Sequence, residues 1–375
     1  MNKAKLSKTL IDKIESSERQ CIDCKICVKV CPMMDEFIDS PKELLGSIIN
    51  ENKIDKNMAF SCMLCNRCVM ECPKEIDLKE VFFNSREDIF KNDKKELKSL
   101  GYNTIKFHQK NSFSPIFTSK IKKNNIKRIF IPGCSLSAYD PNIVLNTYRY
   151  LENVTDNISM LFQCCGKPTL DMGDIEGFKG YSSRLNKIIE DNNIEEVIVA
   201  CENCYKTIES NSSVKVTSLW NVIDKKGVPK ELKGRYKNLK ETFALHDPCP
   251  IREEKEIHES VRNILKDLRV NIIEFEKNRD KTQCCGAGGM VCVTNNKLAL
   301  TQMNKRARET EADYIVSYCE SCVESMIRGG KNSLHILDFL FNPKVISGEK
   351  LTQDITGTLR KWTNRYNAKR ISSKD

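Results

Sequence analysis

The C-terminal two thirds of the chain alternates short apolar runs with amphipathic stretches. KRIFIPGC (Lys127 to Cys134) and ETFALHDPC (Glu241 to Cys249) each read as a short strand ending in a cysteine. Each is followed by a helical pattern, PNIVLNTYRYLEN in one case and EEKEIHESVRNILKDL in the other. A second strand then leads to Cys-Cys-Gly, at Cys164-Cys165-Gly166 and Cys284-Cys285-Gly286. A further helix follows (FKGYSSRLNKIIEDN; KLALTQMNKRARETEA). A third strand ends in Cys-Glu-x-Cys, at VIVACENC and YIVSYCESC. Each stretch closes with a fourth strand and helix (VKVTSLWNVID; SLHILDFLF). Matching cysteines are offset by 115, 120 and 118 residues, so one unit is used twice.

The order in each repeat is β-α-β-α-β-α-β, which predicts a parallel sheet with right-handed crossovers. All three cysteine groups of a repeat follow a strand. They should therefore converge on the carboxyl edge of the sheet, where open α/β sheets place ligands. Helix N-termini at that edge favour an anionic cofactor.

The N-terminal part has a different pattern. PKELLGSIINEN (Pro41 to Asn52) reads as a helix, as does Asp77 to Leu97 with Asp77 as N-cap. Gly101 to Asn125 is polar and basic with scattered aromatics, which predicts a linker that packs in places and a domain boundary. The expected division is 1–98, a linker at 99–126, repeat units at 127–228 and 241–341, and a basic tail at 342–375.

Composition narrows the chemistry. Nineteen of 375 residues are cysteine. That density is below the 8–10% or so of short disulfide scaffolds, and the odd number argues against full pairing. The first twenty residues lack the apolar core of a signal peptide, and no stretch approaches the ~20 apolar residues of a membrane span. A cytoplasmic, reducing location is expected, where clustered cysteines bind metal or do redox chemistry. The formal charge is +10, but Lys and Arg are spread among acids, so no nucleic-acid partner is expected. The one concentrated basic run, Leu359 to Asp375, reads first as a solvated terminus. Docking to a partner or an anionic membrane surface is its second reading.

The first eight cysteines carry a specific motif. Cys21, Cys24, Cys27 and Cys31-Pro32 have the spacing C-x2-C-x2-C-x3-C-P, and Cys62, Cys65, Cys68 and Cys72-Pro73 repeat it. This is the ligand run of bacterial two-cluster ferredoxins, in which three close thiolates cap one cube and the fourth serves the other. One 4Fe–4S cubane is expected on Cys21, Cys24, Cys27 and Cys72. A second is expected on Cys62, Cys65, Cys68 and Cys31. The proline should end the local turn and removes one N–H. Zinc suits such consecutive runs poorly. About thirty residues separate the runs, which predicts a helical ferredoxin-like domain and not a compact hairpin ferredoxin.

The spacing C-x29-CCG-x34-CxxC followed by C-x34-CCG-x32-CxxC resembles the paired CCG domains of the heterodisulfide reductase family. With the ferredoxin runs ahead of it, the chain resembles the D-type subunit of that enzyme. It is also similar to the iron–sulfur subunits of glycolate oxidase, lactate-utilisation and anaerobic glycerol-3-phosphate dehydrogenase systems. The resemblance covers roughly residues 15–341. It implies a multi-domain fold, with an N-terminal α-helical two-cluster ferredoxin-like domain followed by two α/β CCG units with parallel sheets. It also implies one or two further, non-cubane 4Fe–4S clusters. Their ligands would be Cys134, Cys164, Cys165, Cys201 and Cys204 in repeat one, and Cys249, Cys284, Cys285, Cys319 and Cys322 in repeat two. A zinc site on some of these thiolates is the alternative.

Gly166 and Gly286 should let the backbone approach the cofactor closely. His246, in the His-Asp-Pro-Cys run, is a candidate to bond a cluster sulfur or pass a proton to a product thiol. The alternative is a histidine that satisfies a loop. Glu202 and Glu320 recur within both CxxC loops and read as first-turn acids of the next helix. Cys292 alone is unassigned, and its apolar run GMVCV predicts a buried structural thiol.

No flavin or nicotinamide fingerprint is present, GAGG at 286–289 included, so no flavin or NAD is expected in this chain. Single electrons should come from a flavin-containing dehydrogenase subunit or a ferredoxin-type donor. They would enter at the cubanes and pass to the CCG clusters, with a membrane or quinone-reactive partner as a further candidate. Such a partner could hold the chain at the inner membrane face. The first reading is therefore an electron-transfer oxidoreductase subunit. The second is a disulfide reductase with paired non-cubane clusters, and the third is a protein with structural zinc in its CCG units.

Overall fold

A computed structural model of the chain describes residues 2–121, 125–351 and 354–372. It divides into two compact units. The first comprises Met1–Gln109, Lys167–Lys179 and Gln283–Arg306, and the second comprises Lys110–Gly166, Gly180–Thr282 and Ala307–Asp375.

The first unit is mainly helical. Strand β1 (Lys3–Lys5) pairs antiparallel with β2 (Lys53–Asp55). The helix Lys8–Gln20 is capped by Ser7, whose Oγ accepts from the Leu10 amide, and buries Leu10, Ile11 and Ile14. The helix Pro41–Glu51 starts with proline at N1 and Ser40 as N-cap, and ends at Asn52 in the left-handed region. The helix Leu78–Asp93 starts at Asp77, whose Oδ1 accepts from the Glu80 amide at 2.7 Å. Both helices read from the sequence are present, the second ending earlier than Leu97.

The second unit holds both α/β repeats. Repeat one contributes β3 (Arg128–Ile131), β4 (Ile158–Met160), β5 (Glu196–Val199) and β6 (Lys215–Ser218), in the order β4-β3-β5-β6. Repeat two contributes β7 (Phe243–His246), β8 (Ile272–Glu274), β9 (Tyr314–Ser317) and β10 (Ser333–His335), in the order β8-β7-β9-β10. All pairings in these two sheets are parallel. The second strand therefore lies on one side of the first, and the third on the other. The crevice between first and third strands is the switch point at which such sheets bind ligands.

The central strands are apolar on both faces, as a covered parallel sheet requires. In repeat one, Ile129, Ile131, Val197 and Val199 face one core, with Leu185 and Ile189. Phe130 and Ile198 face the other, which they share with Phe243, Leu245, Val316 and the fully buried Trp220. The Trp220 ring meets that of Tyr318 edge-on at 5.9 Å.

Two readings are refined. The segment read as a linker that packs in places contains the helix Tyr102–Ser112, with Ile105 and Gln109 turned to a buried face. The basic run read as a solvated terminus forms the helix Thr358–Ser372, with Asn364, Arg365 and Ala368 buried. Residues 122–124 of the first segment and 352–353 and 373–375 of the tail lie outside the described residues.

Candidate iron–sulfur centres

The two ferredoxin-type runs share one local conformation. Cys21 and Cys62 each end a helix, and short helices follow at Ile26–Lys29 and Arg67–Met70. Asp23 and Leu64, then Lys25 and Asn66, have positive φ of 52° to 66°. Left-handed residues at these four positions curl the loops and aim amides inward. The Leu64 amide donates to Cys62 Sγ at 3.4 Å, and at Cys21 burial raises the thiol while the Asp23 backbone draws it back. Pro32 does more than stop a turn, since it occupies N1 of the helix Pro32–Phe37.

The fourth cysteine of each run lies with the other run. Cys72 lines a pocket open to solvent with Cys21, Cys24 and Cys27, and Cys68 borders it too. Burial pushes the Cys31 thiol up to about 12, and the sulfurs of Cys65 and Cys62 push the same way. Burial takes Cys27 to about 11, with Cys21 adding to it, and Cys62 to about 11, against the pull of Arg86. Cys68 is raised well above its ordinary value by burial and by Cys62, Cys65 and Cys31. Sulfurs crowded at this depth are unfavourable as bare thiolates. A cation that takes over their charge, such as the irons of a cluster, suits the donor set.

In repeat one the five expected cysteines lie close enough for their thiols to perturb one another: Cys134 with Cys164, Cys164 with Cys165, Cys165 with Cys204, and Cys204 with Cys201. Cys134 starts a helix after β3, the Cys164-Cys165 loop follows β4, and Cys201 caps the helix Glu202–Glu209 after β5. Bonding from Cys204 lowers the Cys201 thiol, while bonds to Cys165 and Cys201, with burial, raise Cys204 well above its ordinary value.

The second set is divided between the compact units. Cys249, Cys319 and Cys322 belong to the unit with the sheets, and Cys284 and Cys285 to the other. His246, fully buried at the end of β7, has a ring nitrogen within 4.8 Å of Cys322 Sγ. In both Cys-Cys-Gly loops the glycine amide donates back to the first sulfur, Gly166 to Cys164 at 3.5 Å and Gly286 to Cys284 at 3.3 Å. The φ values there are +81° and +95°, which side-chain-bearing residues avoid.

Within the first unit, the Cys284 loop packs on the second ferredoxin run. Cys284 Sγ lies 3.6 Å from Met63 Sδ. A Cβ on Gly288 would sit 2.3 Å from the Met63 carbonyl oxygen, and one on Gly289 at 2.3 Å from that of Cys62. Arg86 locks this arrangement. Its guanidinium, fully buried, donates to the carbonyls of Ala59, Cys62, Asp171 and Gly289. Sequence reasoning passed over Arg86, although it occupies the apolar stripe Phe82–Arg86–Phe90 of its helix, where a charge is out of place.

Other assignments are refined. Glu202 and Glu320 are first-turn residues, and burial pushes both carboxyls up to about 8. Glu202 Oε1 accepts from Trp220 Nε1 at 2.5 Å, a packing role that the motif did not reveal. Cys292 is half-buried and not fully buried, with its Sγ 3.9 Å from the Gly286 carbonyl oxygen. Asp247, beside His246, is fully buried in a clamp made by Arg262, the Arg279 amide and the Tyr318 hydroxyl.

Comparison with known proteins finds two domain families along the chain. The cysteine-rich CCG domain matches residues 129–209 and 243–327, and a 4Fe–4S dicluster domain matches 20–77. The chain carries a 4Fe–4S dicluster domain and two CCG domains, and its relatives include D-type subunits of heterodisulfide reductase and iron–sulfur proteins. An uncharacterized iron–sulfur protein of Methanococcus maripaludis is 26% identical over 81% of this chain and 66% of its own length. This CCG-domain chain thus spans just under two thirds of that relative. The D-type subunit of the dihydromethanophenazine:CoB–CoM heterodisulfide reductase of Methanosarcina acetivorans is 23% identical over 77% of this chain and 76% of its own. The B-type subunit of the fumarate reductase (CoM/CoB) of Methanothermobacter marburgensis is 22% identical over 86% and 71%. No helix among the described residues is long and apolar enough to cross a membrane.

Proposed function

We propose that this chain is the electron-carrying subunit of an oxidoreductase complex, linking a dicluster part to two CCG sites. The observation that carries the reading is the 3.6 Å approach of Cys284 Sγ to Met63 Sδ, which joins a ferredoxin-type run to a CCG loop through sulfur. When bound, iron–sulfur clusters supply one-electron chemistry at these sites. Cys21, Cys24, Cys27 and Cys72 would hold one cubane, and Cys62, Cys65, Cys68 and Cys31 the other. The two CCG sets would hold non-cubane clusters, on Cys134, Cys164, Cys165, Cys201 and Cys204 and on Cys249, Cys284, Cys285, Cys319 and Cys322.

The protein's own contribution is positioning. Amides two residues beyond Cys62, Cys164 and Cys284 donate to those sulfurs and orient them. Arg86 holds the Cys62 and Gly289 carbonyls, so the two loops keep their spacing. His246, beside Cys322, is placed to bond a sulfur or pass a proton. The electron source would be a flavin-containing dehydrogenase subunit or a ferredoxin-type donor. Two of the relatives are themselves subunits of larger enzymes, which supports a partner.

Disulfide reduction is the second reading, favoured by the ten cysteines present in full across the two CCG repeats. There two electrons and two protons would convert one disulfide to two thiols. The test is the anaerobically reconstituted full chain with reduced viologen, offered either a one-electron acceptor or a heterodisulfide. Reoxidation by the first without turnover of the second is expected. Disulfide turnover at full cluster loading would replace the electron-transfer reading with the reductase one.

A further inference from the structure

The C-terminal helix Thr358–Ser372 lies in the same compact unit as the two sheets. Asn364 anchors it by donating to the carbonyls of Ala138 and Tyr139, at 2.8 and 3.2 Å, at the end of the helix that Cys134 begins. Lys361 pairs with Glu324 at 2.5 Å. Arg365, next to Asn364, is only 7% exposed. Its guanidinium carbon lies 4.6 Å from the centre of the Trp362 ring and 5.3 Å from that of Phe117. Among the described residues no carboxylate or carbonyl accepts from it.

Arg365 lines a small pocket, open to solvent, together with Cys134, Cys164, Gln163, Ser137 and Phe117. A guanidinium keeps its charge and five N–H donors under all ordinary conditions. Two aromatic rings satisfy its faces and leave the donor edge. A buried cation without an anion is costly, so the pocket calls for negative charge on its cysteine side.

Repeat two differs at the same place. Alignment of IPGC with HDPC puts Pro132 opposite Asp247, and the Asp247 carboxylate is already neutralised by Arg262. Repeat one therefore has an unspent positive charge at its first cysteine, supplied by the tail.

We propose that Arg365 is the positioning counter-cation of the iron–sulfur site in repeat one, stabilising its thiolates and setting its reduction potential above that of repeat two. The inference rests on the cluster reading given above. The sign follows from charge: reduction adds an electron beside the guanidinium, so the cation favours the reduced form.

The test uses the full chain, anaerobically reconstituted, as wild type, R365Q and R365K. Iron content and midpoint potentials are measured by redox titration followed by electron paramagnetic resonance. R365Q should lower one midpoint by a tenfold change in its reduction equilibrium constant, about 59 mV for one electron, and leave the others in place. R365K should recover most of the shift. Loss of about four irons in R365Q, restored in R365K, would support the assignment through affinity. Unchanged midpoints at unchanged iron content would overturn it. A wild-type midpoint that moves with added sulfate, while that of R365Q does not, would overturn it in favour of an exogenous anion. If Cys204→Ala changes neither iron content nor spectra in a chain with native Arg365, the cluster reading fails, and the inference with it.

Discussion

The two CCG repeats share a strand order and a cysteine pattern but hold their first cysteine by different means. In repeat one Cys134 follows Pro132 and Gly133, and the C-terminal helix packs on the helix that it starts. In repeat two Cys249 follows His246, Asp247 and Pro248, and an internal ion pair braces the loop. One repeat thus borrows a charge from a distant segment, and the other carries and neutralises its own. Duplication has kept what the sulfur geometry demands and has let the electrostatics diverge. Two sites with the same cysteine pattern can in this way differ in their electrostatics.

Breaking the clamp of repeat two should have the largest effect. Asp247→Ala leaves the Tyr318 hydroxyl and the Arg279 amide without their acceptor and strips one partner from Arg262. A loss of about 3–5 kcal/mol is expected in denaturant unfolding under anaerobic conditions. Pro132→Ala at the matching position should cost less than ~1 kcal/mol. Equal losses would mean that the clamp does not distinguish the repeats.

The glycines sharpen the contrast. An alanine Cβ at Gly286 would meet the Ala299 carbonyl oxygen at 2.8 Å and Met303 Cγ at 2.9 Å, at a φ of +95°. Gly286→Ala should cost about 2–3 kcal/mol and Gly166→Ala about 1–2 kcal/mol, read from the same unfolding curves.

A smaller, pH-dependent difference lies at the fourth strand. Ser218 caps the helix Leu219–Lys226 in repeat one, and His335 caps Ile336–Phe341 in repeat two, its Nδ1 accepting from the Leu337 amide. Burial holds His335 down at about 3, against an ordinary 6.5. The unfolded chain therefore binds a proton that the folded one refuses as pH falls below about 6.5. Stability from this group is present above that pH and falls by about 2 kcal/mol by pH 5. His335→Ser, which copies repeat one, should flatten that slope in unfolding measured from pH 7 to pH 5.

What could be read from the chain follows the range of each interaction. Strands, helices and cysteine groups rest on local periodicity and spacing, and the first, third and fourth strands of both repeats were visible in KRIFIPGC, VIVACENC, VKVTSLWNVID and their counterparts. Arg86 was hidden because its acceptors lie 24 to 203 residues away. Arg365 was hidden because a basic tail carries no mark of the pocket it meets. The Asp247 clamp was half visible, since the motif displayed the acid but not Arg262 on the following helix.

Iron content of the anaerobically reconstituted full chain tests the central claim most directly. Four cluster sites predict about sixteen irons per chain. About eight would contradict the account, leaving the dicluster runs alone to hold iron and the CCG sets without clusters.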